Sequence, residues 1–362
     1  MVESRVLQES EKRGHEQVVF FHYPRVGLKA IVGIHNTVLG PALGGCRMRL
    51  YDDESQALED VLRLSEGMTY KSSIAGLDLG GGKSCIIADR NLSGEARENL
   101  FRQFGHCLEH LHGRYITAED MGTSVQDVMW MREVTQFAAG FSREKGGSGD
   151  PSPWTAKGVF HSIVAACERR YNSKDLKSRH VTVQGVGHVG LYLVGHLLEA
   201  GAKVTVCDSR PEALDETKAK YPVEVVELEK IYDVECDVYA PCAIGQTVNE
   251  ATLPRLRCDI IAGAANNVLS GPDVYSIIDE KNILYCPDFV INSGGVISVG
   301  GELIEGGWKE SWVAEKVKNI YHTIHRILDE SEKRKRFPEV VAIELAKERI
   351  REAEEQQGVL NP

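Results

Sequence analysis

Val181-Thr182-Val183-Gln184-Gly185-Val186-Gly187-His188-Val189-Gly190 is the stretch on which the reading of the fold turns. Four residues of strand character run into Gly-x-Gly-x-x-Gly, and apolar residues at 191–198 continue as a helix. Val204-Thr205-Val206-Cys207 then gives a second strand that ends at Asp208. The glycines permit a tight turn, close approach of a pyrophosphate and contact between helix and strand, while the helix N-terminus attracts the anion. Asp208 lies eighteen residues beyond Gly190, about where an acid meets the adenosine ribose hydroxyls. A lone glycine triplet would be a weak signal. Strand, turn, helix, strand and acid together favour a nucleotide site over a structural turn, with Gly185, Val186, Gly187, His188, Val189, Gly190, Asp208, Ser209 and Arg210 lining it. The acid favours NAD, although an arginine at 210 could hold the extra phosphate of NADP.

Beyond Asp208, further strands are predicted at 238–241, 260–262 and 283–285. They run into Pro241-Cys242-Ala243, then Ala264, Ala265, Asn266 and Asn267, and then Pro287-Asp288 with Asn292 beyond. Ligands of an open parallel sheet lie at the carboxyl ends of its strands, so these turns should surround a nicotinamide. Each asparagine could equally be a plain turn residue. Upstream, the polar Gly/Pro-rich segment 144–153 is the clearest linker. It divides the chain into an N-terminal domain, 1–146, and a nucleotide-binding domain, 147–331, with a closing helical segment, 332–362, that has an apolar face to bury. Val296 and Val299, after two glycines, have helical spacing and fit a pocket wall or a core.

In the N-terminal half, Lys71 and Lys83 stand twelve residues apart, the second directly after Gly80-Gly81-Gly82. An apolar, glycine-rich environment strips water from an ammonium group, disfavours its charge and can turn a lysine into a base. The same residues also read as a glycine turn with two surface lysines. A helix with apolar positions at 57, 58, 61, 62, 64 and 68 leads into Lys71. Residues 39–48, with Leu43, Gly44 and Gly45, are expected to form an irregular Gly/Pro-rich loop, either a simple connection or a pocket wall. Strands are expected at 18–21, 28–34 and 85–88, and a helix around 100–111. A short strand from Tyr115 ends in Glu119 and Asp120, where a carboxylate is placed for acid/base work. Ser124 and Asp127 have capping-box spacing.

The totals exclude several classes. The 362 residues carry a formal charge of −11, which argues against a general attraction to nucleic acid or anionic membrane. Nine scattered cysteines without a Cys-x-x-Cys pair suggest buried thiols rather than zinc ligands or disulfides, and no metal is expected. Residues 1–17 lack the apolar core of a signal peptide and no apolar run is long enough to span a bilayer, so a cytoplasmic protein is expected.

Together, Gly40-Pro41-Ala42-Leu43-Gly44-Gly45, Gly67-Met68-Thr69-Tyr70-Lys71, Gly80-Gly81-Gly82-Lys83, Ile116-Thr117-Ala118-Glu119-Asp120, the nucleotide turn, Tyr239-Ala240-Pro241-Cys242, Ala262-Gly263-Ala264-Ala265-Asn266-Asn267 and Val290-Ile291-Asn292-Ser293-Gly294-Gly295 resemble the leucine, valine and phenylalanine dehydrogenases, relatives of glutamate dehydrogenase. The likeness runs in order from about His15 to the last helix. It implies an α/β fold of two domains separated by a cleft, an N-terminal α/β domain and a Rossmann-type dinucleotide-binding domain. The implied reaction is oxidative deamination: an L-amino acid, NAD and water give a 2-oxo acid, ammonium and NADH. By the same likeness Lys71 would bind the substrate carboxylate, Lys83 would be the catalytic base, and Asp120 would exchange a proton with the amino group. Thr155 would lie near the nicotinamide, Gly44, Gly45, Met68 and Asn267 near the substrate, and the last helix would return to the first domain. The resemblance further implies a homo-oligomer.

Leu43, Ala118, Val296 and Val299 fall where the family places specificity residues, and all are apolar. Such a pocket would leave a second carboxylate unpaired, so a branched aliphatic substrate is favoured, leucine first. An aromatic one stays open, because apolar pockets discriminate poorly by size and because Trp154 and Gly300-Gly301 depart from the family pattern. Two other readings are a nicotinamide enzyme of another kind, whose reaction would not depend on ammonium, and a catalytically silent NAD-binding protein.

Overall fold

The structure is a computed structural model and describes residues 6–89 and 91–358. The outermost residues of the expected terminal segments, 1–5 and 359–362, lie outside the described residues. The chain divides into two compact units: Met1–Asp150 with Val296–Glu310 and Ala346–Pro362, and Pro151–Gly295 with Ser311–Leu345. Residues 296–310 thus group with the first unit, although the sequence reading put them in the nucleotide-binding segment.

The first unit opens with α1 (Val6–Arg13), β1 (Gln17–Tyr23), β2 (Leu28–Asn36) and β3 (Ala42–Arg49). It continues through α2 (Glu54–Ile74), β4 (Gly80–Ile87), α3 (Gly94–Glu109), β5 (Tyr115–Glu119) and α4 (Val125–Arg132). Its five strands are ordered β1-β2-β4-β3-β5, antiparallel from β1 through β4 and parallel from β4 to β5. The helix α2 starts where the Asp53 side chain accepts the N–H groups of Ser55 and Gln56. At α4 the Ser124–Asp127 capping box is present. Arg97 grips the buried Asp127 with two bonds of 2.7 Å, pinning α3 to the start of α4.

Two expectations need correction here. Residues 42–49 are not a loop but a strand, and Gly80-Gly81-Gly82 is not a turn but the start of β4. Glycine weakens a strand yet allows backbones and side chains to come unusually close. A Cβ on Gly44 would sit 1.7 Å from the Gly82 carbonyl oxygen, one on Gly82 2.6 Å from the Tyr115 ring, and one on Gly81 2.0 Å from the backbone nitrogen of Thr69. The glycines are therefore what lets α2 and the ring of Tyr115 lie against the middle of the sheet.

The second unit begins with α5 (Ser152–Tyr171), β6 (His180–Gln184), α6 (His188–Glu199), β7 (Lys203–Cys207), α7 (Pro211–Lys220) and β8 (Glu224–Val225). β9 (Val238–Pro241), β10 (Ile260–Ile261), α8 (Tyr275–Glu280), β11 (Leu284–Tyr285) and α9 (Asp288–Ile291) follow. Its six strands are all parallel, in the order β11-β10-β9-β6-β7-β8. β6, the first strand, sits at the centre, with β7 on one side and β9 on the other. That reversal of winding is the switch point of a Rossmann-type sheet, where nucleotides bind. The sequence did not signal β8, which is two residues long.

α10 (Gly294–Gly300) carries the chain into the first unit, and α11 (Glu310–Arg334) belongs almost wholly to the second. α12 (Pro338–Gln356) contributes to the second unit up to Leu345 and to the first from Ala346. Within the first unit the Ser73 hydroxyl donates to the Ala346 carbonyl at 2.8 Å. Arg349 donates to the carbonyls of Ser73 and Leu77, which close α2. In the charged run 330–336, Arg334 bonds Glu330 within α11 and Glu344 on α12.

Candidate functional site

Side chains alternate along a strand, so one residue identifies a whole face. Tyr115, whose hydroxyl donates to the Gly44 carbonyl, lies in the core with Ala42, Cys46, Met48 and Ile86 on the α3 side. The alternate set, Leu43, Gly45 and Arg47 of β3, Gly81, Lys83 and Cys85 of β4, and Ile116, Ala118 and Asp120 at the end of β5, shares the opposite face. Both lysines thus border the α2 side of the sheet, Lys71 in the last turn of α2 and Lys83 on β4. Met68 lies one turn before Lys71 on α2.

Lys83 is 5% exposed, and its Nζ lies 3.0 Å from Asp120 Oδ2. The lysine is buried, as its glycine-rich setting suggested, but its partner is a carboxylate rather than a purely apolar wall. Burial alone would raise the Asp120 carboxyl. The Lys83 ammonium and the Arg47 guanidinium outweigh it and hold the group down to about 2. The Asp120 backbone N–H donates to Thr123 Oγ1 at 2.9 Å, and Thr123 in turn donates to the Cys46 carbonyl, which fixes the turn after β5. Gly45 leaves the space for it, since a Cβ there would meet Asp120 Cβ at 2.7 Å.

Next to this polar pair the face turns apolar. Leu43 is 1% exposed, and Ala118 and Val299 are each 8% exposed. A Cβ built on Gly140 would meet Val299 Cγ2 at 3.9 Å and Ala118 Cβ at 4.0 Å, so these two side chains flank one small space. Glu302 holds α10 there. Both its oxygens accept the Gly140 N–H at 3.0 Å, and one accepts the Ser148 N–H at 2.5 Å. Val296 lies on the same helix, half-buried. Sequence reasoning missed Arg47, Asp60, Gly140 and Glu302. Nothing in their local spacing announces them, because each works through a partner that is distant in the chain.

In the second unit Gly185 takes φ +96°, and a Cβ on Gly190 would lie 2.0 Å from its carbonyl oxygen, so the turn closes only on glycines. Gly187 precedes His188 and Val189 at the helix start, where a Cβ would meet only the Arg210 guanidinium at 3.4 Å. Asp208 Oδ2 accepts the Val186 N–H at 2.9 Å. Its Oδ1 accepts the Arg210 N–H at 2.9 Å and Nε at 3.3 Å, and Ser209 between them is exposed. Across the switch point Cys242 donates its N–H to Gln184 and Ala265 to Pro241, and a Cβ on Gly185 would lie 2.6 Å from Ala243. Asn292 donates to the Ala264 carbonyl and to Asn266 Oδ1, while its own Oδ1 is buried without a partner among the described residues. A bare turn at a helix N-terminus, an acid beyond β7 and an unused acceptor beyond the end of β10 suit a dinucleotide. Thr155 lies on α5 beside Gly295, and Asn267 adopts φ +53°; both belong to the second unit. All nine cysteines are free thiols, and the described residues contain no cluster of three or more potential metal ligands. No helix among them is long and apolar enough to cross a membrane.

A Rossmann-type unit joined to a unit that holds a buried lysine against a carboxylate points to an enzyme that uses a nucleotide cofactor. Family comparison makes that specific: residues 15–137 match the Glu/Leu/Phe/Val dehydrogenase dimerisation domain, and residues 146–217 and 209–358 match the Glutamate/Leucine/Phenylalanine/Valine dehydrogenase domain. The chain belongs to this family and is an amino-acid dehydrogenase. It is similar to leucine dehydrogenase from Bacillus cereus, 46% identical over 345 residues, 95% of this chain and 93% of that one. Phenylalanine dehydrogenase from Caldalkalibacillus thermarum is 42% identical over 352 residues, 96% of this chain and 93% of that one. Among solved structures, L-tryptophan dehydrogenase from Nostoc punctiforme superposes with a TM-score of 0.84 at 38% identity, covering 96% of this chain and 99% of that one.

Proposed function

We propose that the protein catalyses NAD-dependent oxidative deamination of an apolar L-amino acid, leucine or another branched-chain residue first, and the reverse reductive amination. The observation that carries this reading is the buried Lys83 paired with Asp120 on the same sheet face as Leu43 and Ala118, with Val299 beside them. Lys71, on the neighbouring helix, pairs with the substrate carboxylate, and Gly45 leaves the room in which Asp120 sits beside the substrate. Asp120 accepts a hydrogen bond from the amino group. NAD, which the 185–190 turn and Asp208 would hold, would supply the oxidising power as acceptor of the α-hydrogen and its electron pair. Lys83, once neutral, takes a proton from the water that attacks the imino carbon, and Asp120 exchanges the proton that leaves with ammonia. Water gives the oxo oxygen, and the nitrogen departs as ammonium.

The preference for an apolar side chain follows from Leu43, Ala118 and Val299, none of which can pair a second carboxylate. Purified protein with NAD and a panel of L-amino acids is expected to turn over leucine, isoleucine and valine, with glutamate slower in kcat/KM by about hundredfold or more. Glutamate as the best substrate would contradict the reading. An aromatic substrate is the second reading, favoured by the likeness to the tryptophan and phenylalanine enzymes. A phenylalanine or tryptophan optimum in the same panel would select it.

NAD over NADP rests on Asp208, an acid just past β7 and bonded to the glycine turn, whose bonds to Arg210 occupy that cation. Asp208→Ala is expected to raise the KM for NAD about tenfold or more with little change in kcat, as for loss of a charge-assisted hydrogen bond. An unchanged KM would show that the acid does not touch the nucleotide. The family model's dimerisation domain over 15–137 supports a homo-oligomer, and nine free thiols support a reducing, cytoplasmic location.

A further inference from the structure

Arg47 touches Asp120 and has no place in the scheme above. Its Nε lies 3.0 Å from Asp120 Oδ2, the same oxygen that Lys83 Nζ meets at 3.0 Å. None of the described residues bonds Oδ1. The other end of the guanidinium is held as firmly: Nη1 donates to Asp60 Oδ2 at 3.1 Å, and that oxygen also accepts the Tyr51 hydroxyl at 3.2 Å. Arg63 holds the second Asp60 oxygen at 3.1 Å. The Arg47 side chain is 14% exposed, and its rigid planar fork spans two carboxylates in a fixed geometry, where a lysine ammonium is a single point of charge on a flexible stem.

Resting on the proposed function, we infer that Arg47, clamped by Asp60 and Tyr51, is a positioning residue that holds Asp120 by Oδ2, aims Oδ1 at the substrate's amino group and keeps the carboxylate ionised through the cycle. The need arises from the chemistry. Lys83 can act as a base only in its neutral form, and at that moment one of the two cations on Oδ2 is gone. A partly buried carboxylate left without a cation tends to take up a proton. The guanidinium does not deprotonate in proteins, so its charge persists when that of Lys83 does not. The proton then stays on the reacting groups. The charged and titratable groups around Asp120 are Lys83 and Cys85 from β4, Arg47 and Cys46 from β3, Asp60 and Arg63 from α2, and Tyr51. Burial pushes the Cys85 thiol up to about 11 and raises that of Cys46 too, so neither thiol supplies charge near neutrality.

The test is kcat and kcat/KM against pH for wild type, Arg47→Met, Arg47→Lys, Asp60→Asn and Asp120→Asn, with the fold checked by circular dichroism. Arg47→Met is expected to lower kcat about tenfold or more and to move the acid limb of the profile up by about one pH unit, since a cation beside Asp120 is lost. The KM for the amino acid should stay within about threefold, because substrate binding is not what Arg47 supports. Arg47→Lys should return the limb towards its wild-type position without restoring full kcat, and Asp60→Asn should shift it the same way as Arg47→Met by less. A superimposable profile for Arg47→Met, or a loss confined to KM, overturns the inference. If Arg47→Met does not fold, a wild-type profile for Asp60→Asn together with a fully active Arg47→Lys overturns it instead. Wild-type kcat in Asp120→Asn would overturn the reading of the site itself. An inactive Asp120→Asn beside an unmoved Arg47→Met profile would overturn only the role of Arg47.

Discussion

Lys83→Ala is expected to lower kcat by about a thousandfold or more while leaving the protein folded and able to bind NAD. A positioned acid/base group contributes about 10²–10⁴-fold, and in the proposed reaction this one lysine must activate the attacking water. The fold should tolerate the change. Asp120, the partner left behind, keeps Arg47 at 3.0 Å and so is not an uncompensated buried charge. The converse replacement is less clean, because Asp120→Asn strips both Lys83 and Arg47 of a shared anion. Steady-state kinetics of Lys83→Ala, with NAD binding followed by fluorescence and the melting temperature recorded alongside, checks both halves of the expectation. Activity within tenfold of wild type would remove Lys83 from the chemistry.

The largest effect on stability is expected at Gly81→Ala. A Cβ there would lie 2.0 Å from the backbone nitrogen of Thr69 and 2.4 Å from its Cα, so the clash is with helix backbone rather than with a side chain that can turn away. Either α2 moves off the sheet or β4 bends, and overpacking of this kind costs about 3 kcal/mol or more. The helix carries Thr69 and Lys71, so activity should fall with stability. Gly67→Ala on the same helix is the matched control. Nothing lies within 4 Å of its built Cβ, and replacing a helix-interior glycine there should stabilise by about 0.5–1 kcal/mol. Denaturant titration of the two variants distinguishes them by sign. A neutral Gly81→Ala would mean that the close packing of α2 on β4 is not required.

What could be read from the sequence was what neighbouring residues determine together. The nucleotide turn from Gln184 to Gly190 and the acid at 208 are local in sequence and local in space, so spacing alone located them. The same holds for the Ser124–Asp127 cap and for the helical periodicity that leads into Lys71. Residues 42–49 and 80–82 misled for the opposite reason. Gly44, Gly81 and Gly82 look like turn glycines until the Gly82 carbonyl, Thr69 and Tyr115 are seen pressed into the space where a Cβ would be. Arg47 is one charged residue in a glycine-rich stretch, and only the sheet brings β3 beside β5 so that it meets Asp120. The grouping of 296–310 with the first unit depends on Glu302 reaching the Gly140 and Ser148 amides, more than 150 residues earlier in the chain.

If the Lys83–Asp120 face handles a carbon–nitrogen bond, reduction of the oxo acid must depend on ammonium. Purified protein, NADH and 4-methyl-2-oxopentanoate would be mixed with and without ammonium while NADH absorbance is followed and the product is identified. NADH oxidation is expected only when ammonium is present, with one L-leucine formed for each NADH consumed. Oxidation without ammonium, yielding the 2-hydroxy acid, would contradict it.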